Sequence, residues 1–147
     1  SSIESGHSLF SLSSMPSPYD VHIKSEKPVE THPNENEARP CTLRLGNHLI
    51  TAHYGIIERL SVLSELSEQQ ESNNVISLSP LLKHQPCLTA DGVEIAIDFA
   101  NGKEAYIVPP KVVDVLAAAN ALHMDDLLSQ VEMELGRLAA YDVRYFR

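Results

Sequence analysis

The sequence predicts an α+β domain, a small mixed sheet with a cluster of helices, preceded by an extended N-terminal arm. Short strand-like segments alternate with helical periods in the middle of the chain, and the last third shows two consecutive amphipathic helices. The first 39 residues are rich in serine and proline and lack a sustained apolar period, which is typical of a tail. We therefore expect an arm at residues 1–39, one domain at residues 40–140 and a C-terminal extension at residues 141–147.

One segment of the arm has the pattern of a strand. Between residues 19 and 24, apolar and polar side chains alternate with a period of two, so one face of this segment should be buried. A strand in an arm must pair with the edge of its own domain's sheet or with that of a second copy. The arm residues expected at a partner or dimer interface are Leu9, Phe10, Leu12, Tyr19, Val21 and Ile23.

The domain begins with a predicted β-hairpin. Two short strands are expected between residues 42 and 52, on either side of the turn-forming pair Gly46-Asn47. No helix is expected before this hairpin, because residues 31–40 are polar, contain two prolines and lack an apolar face.

A helix, a loop and a strand should follow the hairpin. Apolar residues recur at helical spacing through residues 54–66, which predicts a helix. The polar run at residues 67–74 predicts a loop, and residues 75–78 predict a short strand.

The next helix has a start signal and a stop signal. Thr89 is a suitable N-cap for a helix at residues 90–100, and Asn101-Gly102 suits the end of that helix. A brief strand is expected at residues 105–108.

Two helices are predicted at the C-terminal end. Pro109-Pro110 suits the first turn of one helix, and Asp125-Asp126 suits the positive N-terminus of the next. The alanines at positions 117, 118, 119 and 121 allow another backbone to come close, so the pair should form a tightly packed helical hairpin. We interpret this hairpin as core scaffolding without a catalytic group.

Charge and composition exclude several classes of protein. The formal net charge is −9, from 11 basic and 20 acidic residues, and no basic patch of the kind that binds nucleic acid is evident. No apolar run is long enough to span a membrane, and no signal-type segment is present. With only two cysteines, the chain fits the reducing interior of a cell, in the nucleus or the cytoplasm, with the nucleus favoured.

Catalytic and metal-binding patterns are absent from the sequence. Cys41, His48, His53 and Cys87 do not have the spacing of a metal site. The chain has no Gly-x-Ser-x-Gly motif and no glycine-rich phosphate loop. We therefore expect no enzyme activity, no cofactor and no metal.

Residues 40–138 resemble the BTB/POZ family in three strings that follow one another in the family's order. These are Ile50-Thr51-Ala52-His53 at the end of the hairpin, Phe99-Ala100-Asn101-Gly102 at a helix end, and Leu116-Ala117-Ala118-Ala119-Asn120 with the leucines that follow. The resemblance implies a BTB/POZ-like fold. It also implies a homodimerising protein–protein interaction module, in a nuclear or chromatin-linked regulatory protein that binds itself and other proteins.

Two other functions are compatible with this resemblance. The chain could be a substrate adaptor of a cullin-type ubiquitin ligase, although the family's hydrophobic-x-Glu motif is displaced here. The residues that would face the cullin are Leu63, Leu66, Glu68 and Glu71. A monomeric adaptor of the Skp type would follow if the arm folds back onto its own sheet.

Two short motifs in the arm suggest covalent modification. Ile23-Lys24-Ser25-Glu26 resembles the hydrophobic-Lys-x-Glu acceptor for SUMO, with Lys24 as the acceptor. Ser17-Pro18 could accept a proline-directed phosphate, which would add charge beside Tyr19 and Asp20.

Overall fold

The computed structural model describes residues 17–26, 35–71 and 74–145. The strands are β1 (Val21–Ile23), β2 (Pro40–Leu45), β3 (His48–His53), β4 (Val75–Ser77) and β5 (Ala105–Ile107). The helices are α1 (Glu35–Ala38), α2 (Tyr54–Arg59), α3 (Ser61–Gln70), α4 (Ala90–Ala100), α5 (Val112–Ala121) and α6 (Asp125–Tyr145), with short 3-10 helices at Ser79–Lys83 and Pro109–Lys111. The predicted α+β composition is confirmed.

The strands form two small sheets. In the larger sheet the order is β3-β2-β4, with β2 antiparallel to β3 and parallel to β4. The β2–β3 turn places Gly46 at φ +61, a left-handed conformation that glycine adopts without steric cost, and the predicted hairpin is confirmed. In the smaller sheet β1 is antiparallel to β5, and Val21 lies opposite Ile107.

The helix predicted at residues 54–66 is confirmed except at Leu60, and the loop predicted at residues 67–74 is wrong at residues 67–70, which are helical. The backbone of Leu60 is extended (φ −95, ψ 108), so the segment divides into α2 and α3. This break lets each helix direct its own apolar face into the core. Helix α3 then continues to Gln70, whose carboxamide bonds both the N–H (2.8 Å) and the carbonyl oxygen (2.7 Å) of Ser77 in β4. This polar segment therefore makes a tertiary contact with the sheet through Gln70.

The expectation of no helix before the hairpin is also wrong. One helical turn, α1, lies at Glu35–Ala38, and the backbone carbonyl of Glu37 accepts a hydrogen bond from Nδ1 of His53 (3.0 Å). The other ring nitrogen of His53 lies 2.9 Å from Oδ1 of Asn101, directly after α4. One imidazole thus connects three elements, and helix propensity in α1 alone could not reveal this contact.

The two C-terminal helices are confirmed, and α6 continues past residue 140, so residues 141–145 extend this helix. Helix α4 approaches α5 closely. A Cβ atom on Gly92 would lie 2.2 Å from the carbonyl oxygen of Asp114, so the two backbones are in direct contact at this point. The predicted N-cap of α4 is confirmed, because Oγ1 of Thr89 accepts a hydrogen bond from the N–H of Gly92 (3.2 Å).

A single apolar core joins both sheets and the helices. Phe99, Leu43, Ile56 and Leu127 are fully buried in it, and so is Ile23 of the arm. No helix in the described part of the chain is both long enough and apolar enough to cross a membrane.

Candidate interaction surface

The arm is attached to the domain by backbone pairing and by side chains of α6. Beyond the pairing of β1 with β5, the N–H of His22 donates to Oε1 of Glu134 (3.3 Å). The N–H of Lys24 donates to Oε1 of Gln130 (2.9 Å), and Nε2 of Gln130 donates to the carbonyl oxygen of Lys24 (2.6 Å). The arm strand therefore lies between β5 and α6.

The outer face of β1 carries a polar cluster. Nε2 of His22 lies 2.6 Å from Oε1 of Glu104, and the His22 ring stacks on the Tyr106 ring with centroids 4.6 Å apart. The Tyr106 hydroxyl donates to the same Glu104 oxygen (3.3 Å). The hydrogen bond with His22 lowers the pKa of the Glu104 carboxyl from its ordinary value. These contacts add a second attachment of the arm to β5.

A turn precedes β1. The N–H of Ser17 donates to Oδ2 of Asp20 (3.0 Å), and the N–H of Asp20 donates back to the carbonyl oxygen of Ser17 (3.0 Å). The Ser17 hydroxyl oxygen accepts a third hydrogen bond, from the N–H of Tyr19 (3.1 Å). Pro18 suits the second position of such a turn because its φ is fixed. The turn holds Tyr19 at a defined place on the surface.

An apolar groove lies beside this turn, between the arm, the start of α5 and the middle of α6. Its volume is about 440 Å³. The groove is defined here by Tyr19, Pro109, Val113, Leu116, Leu135 and Leu138. No charged side chain of the described residues lines it, and Val113 is 62% exposed. An open, uncharged surface of this kind suits protein contact better than the binding of a polar metabolite.

Of the residues predicted at a partner interface, only Tyr19 is exposed at the groove among those that the structure describes. Tyr19 and Val21 both border the groove, but Val21 is only 1% exposed and Ile23 is 0% exposed, so these two belong to the chain's own core. Burial of each such side chain stabilises the fold by about 1.5–3 kcal/mol. As placed here, Val21 and Ile23 have no surface for a partner, because the strand pairs with β5 of its own chain. Leu9, Phe10 and Leu12 lie outside the described residues.

The residues predicted to face a cullin are only partly on the surface. Leu63 and Leu66 are 0% and 5% exposed, so the expectation that they face a partner does not fit this structure. The reason is that both leucines lie on the apolar face of α3, and this face packs into the core. Glu68 and Glu71 are exposed, and Glu71 ends the helix in the left-handed conformation (φ 49).

The two predicted modification residues differ in accessibility. Ser17 is exposed. Lys24 is exposed too, but the preceding Ile23 is buried and the Lys24 backbone is bonded to Gln130. An enzyme that must contact the hydrophobic residue of the Lys24 motif cannot reach it while the arm is in place.

The histidines and cysteines do not assemble into a reactive centre. In residues 17–26, 35–71 and 74–145, no three His, Cys, Asp or Glu side chains are placed to hold a metal ion together. Both ring nitrogens of His53 have partners, as described above. Burial raises the pKa of the Cys41 thiol, which makes it a poor nucleophile, whereas Cys87 is exposed.

Sequence reasoning missed most of the groove. Val113 is 62% exposed on α5, and an apolar residue off the main helical face was the signal that could have indicated it, whereas Leu135 continues the apolar face of α6. Comparison with known proteins adds no assignment, since no family model matches the chain and no curated protein matches its sequence.

Proposed function

We propose that this protein is a protein–protein interaction module of the BTB/POZ type that associates with a second copy of itself through the groove. The single observation that carries this proposal is the open, uncharged groove built from the arm, α5 and α6. The order of elements also supports the BTB/POZ resemblance, because a β-hairpin feeds a divided helix, a parallel third strand and a pair of C-terminal helices. The module acts by assembly and performs no chemistry of its own.

The net charge favours an apolar contact between copies. Two chains that each carry a formal charge of −9 repel one another, so the contact must exclude charged groups where it is closest. The groove meets this requirement. The apolar cluster at Leu9, Phe10 and Leu12 ends five residues before Ser17, close enough in sequence to extend the same surface. A two-fold dimer would use the same patch twice.

Light scattering during size-exclusion chromatography tests this proposal. We expect the 147-residue chain to be dimeric and Val113→Asp to weaken the dimer at least about 10-fold, because a carboxylate would be buried without a partner. Leu49→Asp is the matched control, since Leu49 is 69% exposed on β3 and does not line the groove. Equal weakening by both variants would contradict the assignment of the groove.

A shortened chain that begins at Ser17 separates the arm from the upstream cluster. This truncation keeps Val21 and Ile23 in the core, whereas removal of the whole arm would open the core. If Leu9, Phe10 and Leu12 contribute to the dimer, the shortened chain should associate more weakly than the 147-residue chain. The two chains should keep the same unfolding midpoint at a concentration at which both are monomeric. Salt should strengthen the dimer of either chain by screening the repulsion.

A monomeric adaptor is the second candidate function, and one observation favours it. Strand β1 pairs with β5 of its own chain, which is the arrangement that leaves the arm unavailable for exchange between copies. A monomer at every concentration measured for the unmodified chain would favour this candidate over the dimer. The cullin adaptor is weakened by comparison, because Leu63 and Leu66 contribute to the core rather than to a surface.

A further inference from the structure

The turn at Ser17–Asp20 combines a phosphate acceptor with a negative charge. Ser17 is exposed and is followed by Pro18, the dipeptide that proline-directed protein kinases modify. The Asp20 carboxylate bonds the N–H of Ser17 itself, at 3.0 Å, and Asp20 is buried in this position. The acceptor hydroxyl and the carboxylate are therefore held within one four-residue turn.

We propose that Ser17 is a phosphorylation site, and that its phosphate opens the Ser17–Asp20 turn and displaces Tyr19 from the wall of the groove. In the transfer, the Ser17 hydroxyl oxygen forms a bond to the γ-phosphorus of ATP. The bond from that phosphorus to the β–γ bridging oxygen breaks, ADP leaves with the electron pair, and the hydroxyl proton passes to a base of the kinase.

Charge repulsion is the physical cause of the opening. A phosphoserine carries about −1.5 to −2 charges at neutral pH, and beside a carboxylate it disrupts the local structure. Two cations on the neighbouring elements are already engaged, since Lys111 pairs with Asp91 and Arg137 pairs with Glu134 at 3.1 Å. Relief of the repulsion requires the Asp20 side chain to leave the Ser17 N–H, which removes one of the three hydrogen bonds of the turn. The bond from the Asp20 N–H to the Ser17 carbonyl oxygen should then open more often, because the side chain no longer holds the two ends of the turn together.

The effect should stay local. Tyr19 depends on the turn through the hydrogen bond from its N–H to the Ser17 hydroxyl oxygen, whereas Val21 and Ile23 are held by the core and by β5. The phosphate should therefore change the groove and leave the arm strand paired. The consequence for partner binding rests on the proposed function, but the opening of the turn does not.

Amide hydrogen exchange on the full chain with phosphoserine incorporated at position 17 tests the inference. We expect exchange at the Asp20 amide to become about 10-fold faster, while the amides of β1 keep their protection. Phosphoserine at position 79 is the matched control, because Ser79-Pro80 is also an exposed Ser-Pro pair but begins a 3-10 helix outside the turn. Unchanged exchange at Asp20, or the same change with phosphoserine 79, would overturn the inference.

Two further measurements test the repulsion mechanism and the phosphorylation site separately. Asp20→Asn removes the carboxylate charge, so exchange at residue 20 in the phosphorylated Asn variant should return to within about 2-fold of the unphosphorylated variant. A failure to return would overturn the repulsion mechanism.

A proline-directed kinase should transfer labelled phosphate from ATP to Ser17 of the folded chain, and no incorporation there would overturn the assignment of Ser17 as a phosphorylation site. Faster exchange in a chain that is monomeric throughout would support the inference and contradict the proposed dimer.

Discussion

Gln130 bonds both backbone polar groups of Lys24, accepting from its N–H at 2.9 Å and donating to its carbonyl oxygen at 2.6 Å. The carboxamide of α6 thus continues the hydrogen bonding of β1 at the residue where pairing with β5 has ended. Gln70 bonds Ser77 of β4 in the same two-bond manner. In both places a helix side chain does for a strand what another strand would do.

The Gln130 contact should contribute measurably to stability. Gln130→Ala returns two exposed backbone groups to water, so we expect the free energy of unfolding to fall by about 1 kcal/mol. Urea denaturation measures this change. Gln69→Ala is the control, because Gln69 is exposed on α3. A loss of the same size in both variants would show that the Lys24 contact contributes nothing.

The contact between α4 and α5 should tolerate only glycine at position 92. A Cβ atom there would lie 2.2 Å from the Asp114 carbonyl oxygen, and backbone cannot yield as a flexible side chain can. Gly92→Ala should therefore destabilise the fold by about 3 kcal/mol or more. In contrast, Gly136 has open space around it within α6, and Gly136→Ala should stabilise by about 0.5–1 kcal/mol. Thermal unfolding of the two variants would show shifts of opposite sign, and shifts of the same sign would contradict the geometry.

The His22–Glu104 contact predicts a dependence of stability on pH. The pKa of Glu104 is lowered in the folded chain, so its contribution is present above the ordinary glutamate value and is lost as the pH falls through the lower, folded value. Glu104→Gln should be less stable than the unmodified chain at neutral pH, and the difference should shrink below about pH 4.3. Unfolding curves at a series of pH values measure this difference in stability. Glu94→Gln, at an exposed position of α4, is the control. A difference that does not change with pH would contradict the role of the carboxylate.

The two thiols should differ in reactivity. Cys87 is exposed, whereas Cys41 is buried in β2 and has a raised pKa. A chromogenic disulfide reagent should therefore react quickly with one thiol per folded chain, and with the second at least about 100-fold more slowly, at the rate of opening. Cys87→Ser should abolish the fast phase and Cys41→Ser should leave it intact. Two fast thiols in the folded chain would show that β2 is not buried as described.

Features with local causes could be predicted from the sequence. Thr89 caps α4 by accepting a hydrogen bond from the N–H of Gly92, only three residues away. The hairpin turn depends in the same local way on Gly46 and its neighbours. The break at Leu60 could not be predicted, since leucine has no preference for ending a helix and only packing directs the chain there.

The groove was even less accessible to prediction than the fold. Tyr19 was expected at an interface from its place in an alternating pattern, but the other wall of the groove comes from α5 and α6. Nothing in the periodicity of Val113 or Leu135 indicates that the arm lies beside them. The docking of β1 on β5 decides this, and such pairing between distant segments has no local sequence signal.

The same pairing has a consequence for the order of folding during synthesis. Gln130 follows Lys24 by 106 residues, so at a translation rate of about 5–20 residues per second the last partner of the arm is made roughly 5–20 s after the arm itself. The β2–β3 hairpin, by contrast, closes on itself within microseconds of being made. The arm therefore leaves the ribosome before its partners are made. Val21 and Ile23 remain exposed to water until β5 and α6 have been synthesised.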